Sequence, residues 1–299
     1  MRILLFAALW PEASGLVRAM DMKTYHGSLP YRQYQDRGGE ILLTISGVGP
    51  VAMAAAVGAV LALQGPGQAV LIGSAAGAPP SEVGRLYRIH RLVDADGGRS
   101  FYPDLIYPHA CPLPEATLYS RAEVRRKTEL AAEGAGTDLP QELAVTLFDM
   151  EGAAFFQAAN IFLGPQQIHI LKLVSDQGLA EGEKMSPQTL AARIKGALPQ
   201  IQAYLKDLIR EQEREEEESA RRRSALPSEE ESAAWARALA CSASMGSQLR
   251  QLLVYAGLAG RDWRKHLEEM KRKGRLPLSD RRQGKLLLQE LTDWVMRDA

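Results

Sequence analysis

Residues 148–176 read FDMEGAAFFQAANIFLGPQQIHILKLVSD. The apolar run Leu143–Phe148 entering this stretch predicts a buried strand. Gly152–Asn160 has helical spacing, and His169–Val174 is a second apolar run ended by Ser175-Asp176. A strand, a helix and a strand in so short a span form the repeating unit of a mostly parallel sheet with helices on both faces. Sheets of that kind take ligands at the carboxyl ends of their strands. Met150, Glu151, Ser175 and Asp176 therefore stand where chemistry is expected.

The same alternation continues outward. Ile3–Leu9 and Ile41–Ser46 read as strands, with helical spacing over Pro11–Met20 and a small-residue helix over Pro50–Leu63. Ala69–Gly73 is an apolar run ending in the small-residue turn Ser74-Ala75-Ala76-Gly77, and Tyr87–Val93 predicts one more strand. On the other side, Ser186–Arg210 reads as a long amphipathic helix. The expected class is α/β over residues 1–209, with a mixed, mostly parallel central sheet flanked by helices. A small all-α domain follows.

At Glu211 the composition changes. EQEREEEESARRRS, residues 211–224, begins a charged linker or solvated helix assigned to 210–231. Residues 232–299 regain helical periodicity through Trp235, Leu239, Leu249, Leu253, Trp263, Leu267, Leu291 and Trp294, with breaks at Gly257, Gly260 and Leu276-Pro277. Three or four helices are predicted there. The basic clusters Lys271-Arg272-Lys273-Gly274-Arg275 and Arg281-Arg282 are interleaved with acidic residues. They read as the polar face of a bundle rather than a nucleic-acid surface, and the helices are a possible binding site for a protein partner.

Charge and composition narrow the classes. Lysine plus arginine and aspartate plus glutamate number 36 each in 299 residues, so no net field draws nucleic acid or anionic lipid. The two cysteines, Cys111 and Cys241, form no metal-ligand spacing and no disulfide framework, and a reducing, cytoplasmic setting is expected. The start, MRILLFAALWPE, is too short in its apolar run for a leader, and no apolar segment approaches the roughly 20 residues of a membrane helix. DADGGRSFYPD, residues 94–104, fits no calcium-loop pattern and reads as a solvated loop. His169, within an apolar strand, reads as a core residue. No metal and no cofactor are expected.

Four features fall at predicted strand ends: Glu12, the glycine-rich Gly47-Val48-Gly49-Pro50, Gly73–Gly77, and Ser175-Asp176. Glu151 joins them from the strand that runs into Gly152. Three carboxylates and two small-residue loops thus converge on one sheet edge. Their order and spacing resemble the nucleoside phosphorylase and nucleosidase superfamily, most closely the methylthioadenosine/adenosylhomocysteine nucleosidases. The matching pieces are Glu12, SGVGP at 46–50, IGSAAG at 72–77, EVG at 82–84, DMEGAA at 149–154 and LVSDQG at 173–178, spread over residues 1–205.

The resemblance implies hydrolysis of the N-glycosidic bond of a purine-type nucleoside, a small-molecule substrate and a homodimer. Asp176 matches the general acid that protonates the purine, Glu12 the base that activates water, and Glu151 the carboxylate that grips the ribose hydroxyls. Met150 would pack on the ribose, and Ser175 would orient Asp176. Backbone N–H groups around Gly49, Ser74, Ala75 and Gly77 would face the water or a small anion. Phosphorylases of the superfamily carry arginine at the loop matching Gly73–Gly77. Here that loop is uncharged, with Arg85 and Arg88 further on, so water is the expected nucleophile. Phosphate-dependent cleavage and an inactive nucleoside sensor are the alternatives. The sequence departs from the family ahead of DMEGAA, where the usual phenylalanine is missing from Leu118–Val124; Tyr119 or Phe101-Tyr102 are candidates to replace it. Arg85 also stands where aspartate usually follows EVG.

Overall fold

Every residue of Ile3–Ala7 (β1) is buried, which requires neighbours on both edges and cover on both faces. The computed structural model supplies them; it describes residues 3–103, 113–122, 145–178 and 185–296. After β1 come Trp10–Ala19 (α1), Lys23–Tyr25 (β2), Arg32–Gln35 (β3), Ile41–Ile45 (β4), Pro50–Gln64 (α2) and Gln68–Gly77 (β5). Leu86–Asp94 (β6), Arg99–Phe101 (β7), Glu115–Ser120 (β8), Thr146–Asp149 (β9), Gly152–Ala159 (α3), Ile168–Asp176 (β10) and Pro187–Ala225 (α4) follow. The strands form one mixed sheet with β4, β1, β5 and β10 parallel at its centre.

Side chains alternate across this sheet as strand geometry demands. Leu4 and Phe6 face α2 and α3, packing with Val57, Val60, Phe155 and Phe156. Ile3 and Leu5 face the other way, toward Leu16 and Val17 of α1 and Ile194, Ile201 and Leu205 of α4. His169 is a core residue, with Nδ1 2.9 Å from the Tyr204 hydroxyl and Nε2 2.9 Å from Gln68 Oε1.

The long strand β5 positions the site. Its first half pairs with β1 (Phe6 opposite Leu71), and its last residues pair with β9 (Ala76 opposite Phe148). Between these two pairings, Gly73, Ser74 and Ala75 have no strand on that edge, and a crevice opens. β10 runs along the opposite edge of β5 throughout, and β10, β6, β8 and β9 close back onto it.

Several expectations are corrected. Ser74–Gly77 is strand rather than turn, because its backbone continues to pair, Ser74–Ala76 with β10 and Gly77 with β9. Ser175-Asp176 likewise belongs to β10 instead of following it. The helix expected over 186–210 continues to Ala225 through the charge run, where Arg222–Glu218 at 2.6 Å and Arg221–Glu217 at 3.8 Å bridge successive turns. The short strands β2, β3 and β7 and the six-residue β8 were not anticipated, since they are too short or too exposed to show a period. Leu143, Asp104, His109, Cys111 and Glu123-Val124 lie outside the described residues.

The chain divides into two compact units between Arg210 and Glu211. The second contains Glu229–Ala238 (α5), Ala243–Leu258 (α6), Trp263–Arg272 (α7) and Arg281–Met296 (α8) around Leu239, Leu249, Leu253, Trp263, Leu267, Leu287 and Leu291. Ser228, Ser242 and Asp262 cap α5, α6 and α7 by accepting the N–H of Glu231, Met245 and Lys265. Trp263 donates its indole N–H to the Ala225 carbonyl at 2.7 Å, tying α7 to the end of α4.

Gly284 of α8 is buried against the Leu239 carbonyl oxygen, at a distance no Cβ tolerates. Glycine to alanine inside a helix normally stabilises by about 1 kcal/mol. Here Gly284→Ala is expected to destabilise the second unit by about 1–3 kcal/mol through overpacking. Urea unfolding read by tryptophan emission checks this, since Trp235, Trp263 and Trp294 report on that unit and Trp10 on the first. A gain in stability would contradict the packing.

Candidate active site

The crevice beside β5 is a cavity of about 270 Å³, lined by residues that are far apart in sequence. Glu12, Ser74, Ala75, Asp149, Met150, Glu151, Ser175 and Asp176 all reach it. Apolar cover comes from Leu9, Val48, Met185 and Leu190, and aromatic cover from Tyr119 and Phe148.

Glu12 sits in the first turn of α1, where a carboxylate is favoured by the helix N-terminus. Its Oε2 accepts the Leu9 N–H at 3.0 Å. Its Oε1 accepts both the N–H and the hydroxyl of Ser74, at 2.8 and 2.7 Å. The Ser74 N–H is available because β5 has no strand partner there. Glu12 is thus both a helix-start carboxylate and a fixed wall of the cavity.

Glu151 stands at the start of α3, where its Oε1 accepts the Gly49 N–H at 2.7 Å. Burial pushes the Glu151 carboxyl above the usual glutamate range. Lys172 pulls it back down, while Asp149 and Glu12 add to the rise. Asp176, half-buried at the end of β10, accepts the Ser175 hydroxyl at 2.7 Å and the Gly178 N–H at 2.9 Å. Ser175 also lies 3.1 Å from the Ala75 carbonyl.

Beneath the cavity is an ion pair that sequence reasoning missed. Lys172 Nζ lies 2.8 Å from Asp149 Oδ2, with both side chains at most 2% exposed. Desolvation works against the lysine charge, but Asp149, Glu151 and Glu12 together hold its pKa above the ordinary lysine value. Asp149 Oδ2 also accepts the Gly152 N–H at 2.9 Å, which fixes the turn into α3. Gly73, opposite Lys172 in the β5–β10 register, makes room for this arrangement. A Cβ there would lie 3.1 Å from Lys172 Nζ and 3.2 Å from Glu12 Oε1. A lone lysine inside the apolar run His169–Val174 was the available signal.

Two expectations need correction. Gly77 does not line the cavity: a Cβ on it would collide with Ser81 and lie 2.9 Å from Val174 Cγ1, so it is a packing glycine. The N–H groups of Gly49 and Ser74 do not await an anion, because Glu151 and Glu12 already accept them. Tyr119 lies in the cavity wall, stacked on Phe148 at 5.8 Å, whereas Phe101 packs on Phe156 in the core. Arg121 also lines the cavity and was not anticipated. Among the described residues, no group of three histidine, cysteine, aspartate or glutamate side chains is placed to hold a metal ion. No helix among them is long and apolar enough to cross a membrane.

Comparison with known proteins gives the same outline. No curated protein sequence matches the chain. Among solved structures, the 5′-methylthioadenosine/S-adenosylhomocysteine nucleosidase of S. pneumoniae with a transition-state inhibitor is similar at 20% identity and a TM-score of 0.56, over 70% of this chain and all of the other. The Helicobacter pylori enzyme of the same name, bound to butyl-thio-DADMe-Immucillin-A, matches at 14% identity and 0.54, over 71% of this chain and 98% of its own. The futalosine hydrolase of Helicobacter pylori matches at 14% and 0.53, over the same shares. These likenesses concern the fold. Residues 6–210 match the family model of the phosphorylase superfamily, and the chain belongs to that superfamily.

Proposed function

We propose that the first unit hydrolyses the N-glycosidic bond of a purine-type nucleoside. The observation that carries this reading is the position of Glu12 and Asp176 on one small cavity, each held beside the last residues of β5. Glu12 is held by Ser74 of β5, and Asp176 stands opposite Ala76, two residues further on.

Cleavage moves the C1′–N9 electron pair onto the purine and leaves positive charge on the ribose. Asp176, oriented by Ser175 and Gly178, is the group to protonate the leaving ring. Glu12, with both oxygens fixed, takes a proton from the water that attacks C1′ on the opposite face. Glu151 accepts from the ribose hydroxyls and, with Glu12, stabilises the cationic sugar. Met150 packs beside it. The apolar residues Leu9, Val48, Met185 and Leu190 suit an apolar 5′ substituent such as a thioether. Methylthioadenosine, adenosylhomocysteine and 5′-deoxyadenosine are candidate substrates of that shape.

Water is preferred over phosphate on charge grounds. A phosphate nucleophile needs unspent cationic donors near Ser74. Lys172, the cation nearest Gly73, is engaged by Asp149. A homodimer is part of the same proposal by analogy with the family; a cytoplasmic setting rests on the two isolated cysteines, and a protein partner is proposed for the helices of the second unit on their own account.

Incubation of the protein in phosphate-free buffer with methylthioadenosine, adenosylhomocysteine, 5′-deoxyadenosine, inosine and futalosine is expected to release free base from at least one of them. Strict dependence on added phosphate would select the phosphorylase, and tight binding without release would select a sensor. Asp176→Asn is expected to lower kcat by at least about a hundredfold with the fold intact, as loss of a positioned acid does. An unchanged rate would remove Asp176 from the mechanism. Because Glu151 must be ionised to accept the ribose hydroxyls and its pKa is raised, kcat/KM is expected to fall on the acid side with a midpoint above the ordinary glutamate value of 4.5. Glu151→Gln should abolish that limb. An acid limb that survives this substitution would assign the titration elsewhere.

A further inference from the structure

Arg121 has no part in the chemistry described above, yet its side chain lines the same cavity. It continues β8, with its N–H donated to the Asp149 carbonyl at 3.0 Å. Two residues on from Tyr119, it faces the same side of the strand. Tyr119 stacks on Phe148, its partner in the β8–β9 register, and Phe148 is in turn opposite Ala76, whose other neighbour is Asp176. The flat apolar surfaces, the proton donor and Arg121 therefore belong to one end of the cavity. Glu151, Met150 and the apolar residues Leu9, Val48 and Leu190 supply the sugar and 5′ surfaces. The aromatic end is where a purine would lie.

The guanidinium has an ion-pair partner beside the cavity. Arg121 Nε lies 3.3 Å from Asp96 Oδ1, and Asp96 Oδ2 accepts the Ala122 N–H at 2.9 Å. Asp96 itself is not among the cavity-lining residues, so the pair presents donors to the ligand rather than a mixed donor and acceptor edge.

We propose that Arg121 selects a 6-oxopurine base, rather than adenine, for the hydrolysis assigned above, on which this inference rests. A guanidinium carries only donors and stays charged. The carbonyl oxygen of a 6-oxopurine accepts from it, as guanine O6 accepts from arginine in nucleic-acid recognition. The 6-amino group of adenine is itself a donor, so adenine would set two donors against each other in a partly desolvated site. The chemistry favours the same choice. As the C1′–N9 bond breaks, its electron pair enters the purine ring and spreads onto O6. Water oxygen bonds to C1′ and loses its proton to Glu12, while Asp176 passes a proton to N7. A fixed cation beside O6 stabilises that developing negative charge.

The test uses the full chain and a matched pair, 5′-methylthioinosine and 5′-methylthioadenosine, which differ only at position 6. The wild type is expected to favour the 6-oxo substrate in kcat/KM by at least about tenfold, the scale of one well-placed base contact. Arg121→Met should narrow the ratio to within about threefold, through loss on the 6-oxo substrate, and Arg121→Lys should retain part of the preference. Calorimetric binding of free hypoxanthine and adenine provides a readout independent of turnover, with hypoxanthine expected to bind more tightly. A wild-type preference for 5′-methylthioadenosine would overturn the role of Arg121 and leave the hydrolase reading standing. Equal losses on both substrates in Arg121→Met would do the same. Failure to release base from any nucleoside would remove both.

Discussion

One buried cation organises the first unit. Lys172 stands beneath the cavity with Asp149 at 2.8 Å, and Glu12 and Glu151 contribute to the field around it. Three carboxylates packed this closely would repel one another if no positive charge lay among them, and isolating any of them from water is expensive. The lysine relieves that repulsion, and Glu12 and Glu151 both line the cavity. The backbone then completes the restraint: Ser74 holds Glu12, and Gly49 holds Glu151.

The fold builds this arrangement where β5 exchanges neighbours. β5 changes partners from β1 to β9 midway, and the gap between those pairings frees the Ser74 N–H for Glu12. A glycine suits Gly73 because Lys172 Nζ and Glu12 Oε1 both closely approach the space that a Cβ would fill. The chemistry thus depends on a crossing of strands rather than on a mobile loop. Such partner changes in open sheets are general positions for ligand sites.

Much of this was legible in the residues. Long apolar runs with helical segments between them marked β1, β4, β5 and β10, because strands buried on both faces need no alternation to be seen, and the spaced apolar residues of Tyr87–Val93 marked β6. Glu12, Glu151 and Asp176 stood out as carboxylates at the ends of those runs. Lys172 did not, because a single charge inside ILKLV reads as noise until a partner is known, and Asp149 was masked by the more conspicuous Glu151 beside it. Gly77 was assigned to the ligand because a small-residue run looks like a loop; its neighbours Ser81 and Val174 come from segments whose approach no local pattern announces. The charge run after Arg210 read equally well as linker or helix, and ion pairs between successive turns support the helical outcome.

The most direct test is a double-mutant cycle on the buried pair, with unfolding free energies measured for the wild type, Lys172→Met, Asp149→Asn and the double variant. Removing one member of a buried pair is expected to cost about 3–5 kcal/mol, since it strands the other charge. The double variant is predicted to lose less than the sum of the single losses, with Lys172→Met alone the most damaging because Glu12 and Glu151 also lose their counter-charge. Small, strictly additive losses would contradict the account, because Lys172 would then be a bystander to the carboxylates above it.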